Sequence, residues 1–493
     1  MADIGAGIGA GVGAGVGIGV GEEVGAAGGT AVASGVGVGM ASGVGAGVAS
    51  GGGVAPYAEL TFDAEGDVDL GSLAAVARLD ATDLLVFAHG WNSDRSTATR
   101  LYERFFALFP GLVGPKTRLG YVGVVWPAMR FSDEPIPDFE DRGVGAEPGS
   151  RTALDPGTRR ALAEFWPGRE AELDRVAELL AEQPESEAAF IEFGALVREL
   201  AGVDVVDVID GMDTADTADT TEIADTADEV AAVTAAPVPA VFAEDVLEVC
   251  RELTEALAEA GGPACPDLAL GGGLRPLWNG AKELLRQATY YKMKKRAGVV
   301  GERGLGPVLA ELGRQRPGLR IHLIGHSFGA RLVSFSLRAV PDGARHIGSL
   351  TLLQGAFSHY VFADRLPHDR NRGGALGGLH RKVDGPVVAC HSPHDTSLRV
   401  FYPLASRMAG DSAGVLGLDE RWGAIGHDGV QAVPGAPRLT LDAALREGVP
   451  AAGCVSVDAG SVVRRGGAPS GAHSDICHAE LARLVVAAGR MGR

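Results

Sequence analysis

"IHLIGHSFGARLV", residues 321–333, decides how the rest of the chain is read. A β-branched run ends at Gly325, and beyond Ser327 the stretch "ARLVSFSLRAV" carries Leu332, Phe335 and Leu337 at helical spacing. Gly325 and Gly329 flank Ser327, with His326 and Phe328 between them, so the pattern is G-x-S-x-G with a strand before it and a helix after it. A sharp strand-to-helix turn strains its central residue and brings backbones so close that the flanking positions must lack bulk. Ser327 is therefore either a turn residue or an exposed nucleophile. A hydroxyl attacks only when a base removes its proton.

Outward from this turn the chain alternates short apolar runs with helical stretches, which predicts an α/β fold: a mostly parallel central sheet with helices on both faces. The predicted strands are "AELTF" (58–62), "DLLVFAHG" (83–90), "YVGVVWP" (121–127), "RIHLIG" (320–325), "IGSLTLLQG" (347–355), "PVVACHS" (386–392) and "GCVSVDAG" (453–460). A helix capped by Ser93 or Asp94 follows the second of these, over 95–109. A last helix is expected over 475–486. Between Met129 and Leu277 no strand is expected, only acidic helical stretches at 157–182, 186–202 and 244–260. The expected organisation is a low-complexity tail (1–53), the first part of the core (54–130), a helical insertion or lid (131–275) holding an acidic linker (204–239), and the second part of the core (276–493). The basic cluster Lys292, Lys294, Lys295 and Arg296 reads as a solvated face at a helix C-terminus.

Attack by Ser327 creates an oxyanion, which needs N–H donors aimed at it. The residue after the nucleophile, Phe328, supplies one from a helix N-terminus. The loop after "DLLVFAHG" leaves a buried strand at His89-Gly90 and makes the Trp91 N–H the candidate for the second, unless His89-Gly90 is only a strand-ending turn.

With "GHSFGA" and "HGW" in these contexts, the chain resembles the α/β-hydrolase superfamily, specifically its bacterial esterase- and lipase-like members that carry His-Gly followed by a single oxyanion residue. The match covers roughly 83–130 and 318–490. The resemblance implies an eight-stranded, mostly parallel sheet, with Gly325, His326 and Gly329 forming the nucleophile elbow around Ser327, and a triad in chain order Ser, acid, His. It assigns the acid to Asp395, directly after "PVVAC", although Asp395 is also placed to cap the turn that follows. It assigns the base to His473, on the Gly- and Pro-containing loop before the last helix; His427 and His478 also follow Asp395 and remain open. The chain departs from the pattern in carrying its insertion before the nucleophile strand, so lid-borne specificity does not transfer. The glycine-rich "NRGGALGGLH" (371–380) is expected to be a loop near the site's edge.

Composition bounds the partners. A formal charge of −19 argues against nucleic acid and anionic lipid. Residues 1–53 hold 21 of the 73 glycines and read as a flexible extension, since such side chains bury too little area to offset the entropy of ordering glycine. The uncharged run from Val24 to Tyr57 is long enough for a membrane span, yet it lacks Leu and Phe and no Lys or Arg precedes Arg78, so a membrane partner is not expected. Five unpatterned cysteines fit a reducing cytoplasm and offer no zinc spacing. No metal or organic cofactor is called for. The expected partner is a small-molecule ester or acyl substrate. The leading expectation is ester hydrolysis through an acyl-enzyme, against a binding or scaffold protein on the same fold and an acyltransferase.

Overall fold

The computed structural model describes residues 56–131, 152–202, 240–261, 273–409 and 422–492. The low-complexity tail, the acidic linker at 204–239 and Cys265 lie outside the described residues.

Eight strands form one sheet in the order β1-β3-β2-β4-β5-β6-β8-β7: β1 (Tyr57–Thr61), β2 (Asp83–Ala88), β3 (Leu119–Val125), β4 (Arg320–His326), β5 (Ile347–Leu353), β6 (Pro386–His391), β7 (Arg438–Thr440) and β8 (Gly453–Asp458). Every strand pair is parallel, where a mostly parallel sheet was expected. The seven anticipated strands are present, their ends shifted by a few residues. The eighth, β7, has three residues at the sheet edge, exposed at both ends, and so lacks the apolar run that makes a strand visible.

β2, β3, β5 and β6 are buried at every position, because helices cover both faces. The pleat sends Leu84, Val86 and Ala88 into one core and Leu85 and Phe87 into the other. On the second face lie the Arg95–Phe106 helix, through Ala98, Tyr102 and Phe105, and the Ala479–Gly489 helix, through Leu481 and Leu484. Asp94, not Ser93, caps the first of these, its carboxylate accepting from Thr97 N at 2.7 Å. Tyr102 reaches the sheet because β3 has a glycine there: a Cβ on Gly123 would stand 2.3 Å from the Tyr102 ring.

The first face carries the Trp278–Val299, Gly306–Gln315 and Phe328–Phe335 helices. Leu162, Phe193 and Val249 from the helices of the 131–275 region join Val86 and Val122 of the sheet in this core, so the inserted helices extend it. The stretch expected as one helix over 157–182 is two, Pro156–Phe165 and Glu170–Glu182, broken at Pro167-Gly168, where Gly168 has φ +78°. The final helix starts four residues later than expected, with His478 as its N-cap residue.

The solvated-face reading of the basic cluster is corrected. Lys294 is buried with its Nζ over the Tyr402 ring, and Arg296 donates to Pro127 O at 2.9 Å; of the four, only Lys292 is exposed. Long aliphatic stems let such side chains pack while their charged ends find rings and carbonyls. The glycine-rich 371–380 segment folds onto the Tyr360–Ala363 turn, with Gly374 N donating to Ala363 O and Leu376 buried. Among the described residues no helix is long and apolar enough to cross a membrane, and no group of three or more His, Cys, Asp or Glu side chains is placed to hold a metal.

Candidate active site

A sheet with every strand parallel delivers the C-terminal ends of all its strands to one edge. At that edge the loop after β2 presents His89, Gly90 and Trp91, β4 ends at Ser327, β6 leads to Asp395, and the loop after β8 carries His473.

Ser327 has φ +56° and ψ −123°, a region L-residues rarely occupy, as it passes from β4 into the Phe328–Phe335 helix. Three backbone hydrogen bonds hold it there: its N–H to Leu353 O at 3.1 Å, and its carbonyl accepting from Ala330 N at 3.0 Å and Ala356 N at 3.2 Å. The flanking glycines are required by space. A Cβ on Gly325 would meet Gly329 O and the Ala330 Cα at 2.4 Å, and one on Gly329 would meet Ala88 O at 2.1 Å. Gly329→Ala is therefore expected to destabilise the protein by more than the ~1 kcal/mol typical of a point substitution, read as a lowered denaturant midpoint; an unchanged midpoint refutes the packing argument.

His473 and Asp395 complete a chain of contacts. His473 Nε2 lies 2.9 Å from Ser327 Oγ, and His473 Nδ1 lies 2.8 Å from Asp395 Oδ2. An ionised carboxylate only accepts, so Nδ1 carries the proton and Nε2 is bare toward the hydroxyl, the tautomer a general base needs. Asp395 is fully buried; its other oxygen accepts from Leu398 N at 3.0 Å, so it also caps the turn that follows, as its position allowed. His427 is elsewhere, beside Asp428 and His359, and His478 pairs with Asp475.

Several residues outside the expected triad position it. His326 donates from Nε2 to His473 O at 2.8 Å, tying the base's loop to the strand end that carries the serine. Gln354, in a left-handed conformation after β5, turns its Nε2 toward Asp395 Oδ2 at 3.4 Å. Asp475 is fully buried and gathers the loop: its Oδ2 accepts from the backbone N–H groups of Arg464 and Arg465, and its Oδ1 from the Arg465 guanidinium. Burial works against its charge, but these donors together with His478 hold its carboxyl below the ordinary range. Asp475→Asn replaces one accepting oxygen by a donor, and we expect it to lower kcat at least tenfold, because the loop that carries His473 loses its anchor. Unchanged kcat rejects this role. No local pattern marks Asp475 in the sequence, since its hydrogen-bond donors lie ten and eleven residues upstream.

The two residues expected to supply the oxyanion donors line the same cleft. Phe328 N is the first of its helix and so has no intrahelical acceptor, and among the described residues neither it nor Trp91 N donates to a backbone carbonyl. His89 orients the second donor: its Nδ1 donates to Gly90 O at 2.8 Å, and in a trans peptide the following N–H, that of Trp91, points the opposite way. The strand exit is pinned by Tyr102 Oη, which accepts from His89 N at 3.0 Å, and by Trp126 Nε1, which donates to His89 O at 3.0 Å. A Cβ on Gly90 would lie 2.6 Å from the Ser327 Cβ, so only glycine lets this loop approach. Ser327, Phe328, Trp91 and His473 together line one small cleft.

Such an arrangement can generate an alkoxide, attack a carbonyl and bind the resulting oxyanion. Comparison of the chain with models of protein families, with curated proteins and with solved structures gives no match, so the reading of this site rests on its geometry.

Proposed function

We propose that the protein is a serine hydrolase of the α/β-hydrolase type that cleaves carboxylic esters through an acyl-enzyme. The observation that carries the proposal is the unbroken line from Asp395 through His473 to a serine held in a strained turn, at 2.8 and 2.9 Å. A scaffold has no use for such strain, which costs on the order of 1–3 kcal/mol.

In this mechanism His473 Nε2 takes the Ser327 proton as Oγ attacks the ester carbonyl, and Asp395 stabilises the imidazolium that forms. The carbonyl oxygen, now negative, is held by the N–H groups of Phe328 and Trp91. Collapse of the tetrahedral species breaks the bond to the alkoxy oxygen, which takes the proton from His473 and leaves as the alcohol. Water then repeats the sequence on the acyl-enzyme, giving the acid and free Ser327. General-base action contributes typically about 10²- to 10⁴-fold, and each oxyanion donor on the order of 10²- to 10³-fold. Esters are favoured over amides because an alkoxide is the better leaving group.

The test is incubation of the full chain with a fluorophosphonate probe and with p-nitrophenyl esters. Labelling that maps to Ser327, together with ester turnover, supports the proposal; an unlabelled, inactive but folded protein overturns it.

A further inference from the structure

Beyond its catalytic groups, the cleft has a polar wall built by a single helix. The Trp278–Val299 helix sends Glu283, Arg286, Gln287 and Tyr290 into it, positions i, i+3, i+4 and i+7 of a single face. Pockets for plain hydrocarbon chains are lined by apolar side chains, and this face is not one. Glu283 and Gln287 are 5% and 3% exposed. Gln287 Nε2 donates to Glu283 Oε1 at 2.8 Å, and Arg286 Nε lies 3.2 Å from Glu283 Oε2. The neighbouring carboxylate decides how the Gln287 amide is turned, because the opposite orientation would set oxygen against oxygen. That leaves Gln287 Oε1 buried with no hydrogen-bond partner among the described residues. Trp91, which lines the same cleft, has its indole Nε1–H buried and equally without a partner. The two are linked through Tyr290, whose ring lies 5.8 Å from that of Trp91 and one helical turn, about 4.5 Å along the axis, beyond Gln287. Tyr290 also packs at 5.0 Å on Phe328, the residue after Ser327, so this wall and the serine line the same cleft.

An unfilled acceptor and an unfilled donor in one small cleft match a group that both donates and accepts. We propose that the substrate is an ester carrying a hydroxyl or secondary amide a few bonds from its carbonyl, with Gln287 Oε1 as the acceptor for that group. This rests on the hydrolase reading above and deepens it from esters in general to hydroxy- or amido-esters.

The test compares matched pairs on the full chain: p-nitrophenyl 3-hydroxybutyrate against p-nitrophenyl 3-methylbutyrate on the acyl side, and 2-hydroxyethyl butyrate against propyl butyrate on the alcohol side. The readout is the ratio of kcat/KM within a pair, which general loss of catalytic power or of folded protein does not change. We expect the wild type to favour the hydroxyl-bearing member of at least one pair by about tenfold, and Gln287→Met, of similar shape but without the amide, to bring that ratio to within about threefold. Ratios near one for both pairs in a wild type whose Ser327 is labelled by a fluorophosphonate overturn this inference and leave the hydrolase reading standing. A preference that survives intact in Gln287→Met overturns it too. If the wild type is neither labelled nor active on any ester, the hydrolase reading fails and this inference falls with it.

Discussion

Ser327→Ala is expected to abolish fluorophosphonate labelling and to lower ester hydrolysis by on the order of 10⁴- to 10⁶-fold, with the fold intact. The size follows from losing the covalent route. Without Oγ, His473 can only activate a water molecule that nothing positions, and the N–H groups of Phe328 and Trp91 keep just their share of the oxyanion binding. The fold should survive because alanine keeps the serine Cβ, and the three backbone hydrogen bonds at this residue do not involve the side chain. Ser327→Gly separates strain from chemistry. It is equally inactive, yet relief of the +56° φ should raise stability by up to a few kcal/mol, less about 0.5–1 kcal/mol for the freer unfolded chain. Retention of a tenth or more of the wild-type rate in Ser327→Ala would be incompatible with the proposed mechanism.

The largest effect on stability should come from acid. Burial lowers the pKa of His89 to about 4 and that of His391 to about 4, the latter aided by Arg438; burial, with His473 alongside, lowers that of His326 to about 3. In the unfolded chain each histidine protonates near 6.5. As pH falls below about 6.5 the unfolded state takes up protons that the folded state refuses until pH 3 or 4, so folding stability drops throughout that interval and is fully present only above it. Each histidine removes about 1.4 kcal/mol per pH unit once well below its unfolded pKa. Denaturant midpoints measured between pH 7 and 4.5 should fall steeply, and His326→Gln, which preserves a donor toward His473 O, should flatten the slope by about one proton. A midpoint independent of pH over this range would contradict the assignment of these rings as neutral.

The relation of sequence to structure differs among the site's parts. Ser327 and the two glycines were legible as a short pattern between a strand and a helix, although only Gly325 is demanded by the turn itself; at 329 it is Ala88 O at the end of β2 that leaves no room. Asp395 and His473 needed the family resemblance, since nothing within their own segments separates a triad carboxylate from a turn cap, or His473 from His427. Only the meeting of the loops after β4, β6 and β8 at one sheet edge brings the three side chains within hydrogen-bond reach. Lys294 was misread for a related reason: a charged side chain one or two turns from a helix end looks solvated until the Tyr402 ring arrives from a segment over a hundred residues away.

Periodicity, glycine placement and capping residues act over a few residues, and these local features were enough to specify an α/β chain with a strained serine between strand and helix. The polar wall built by Glu283 and Gln287, the anchoring of the His473 loop by Asp475, and the order in which the strands lie across the sheet were decided by tertiary structure alone. Each depends on partners far apart in the chain or on which face packing turns inward, and no local pattern encodes such a distance.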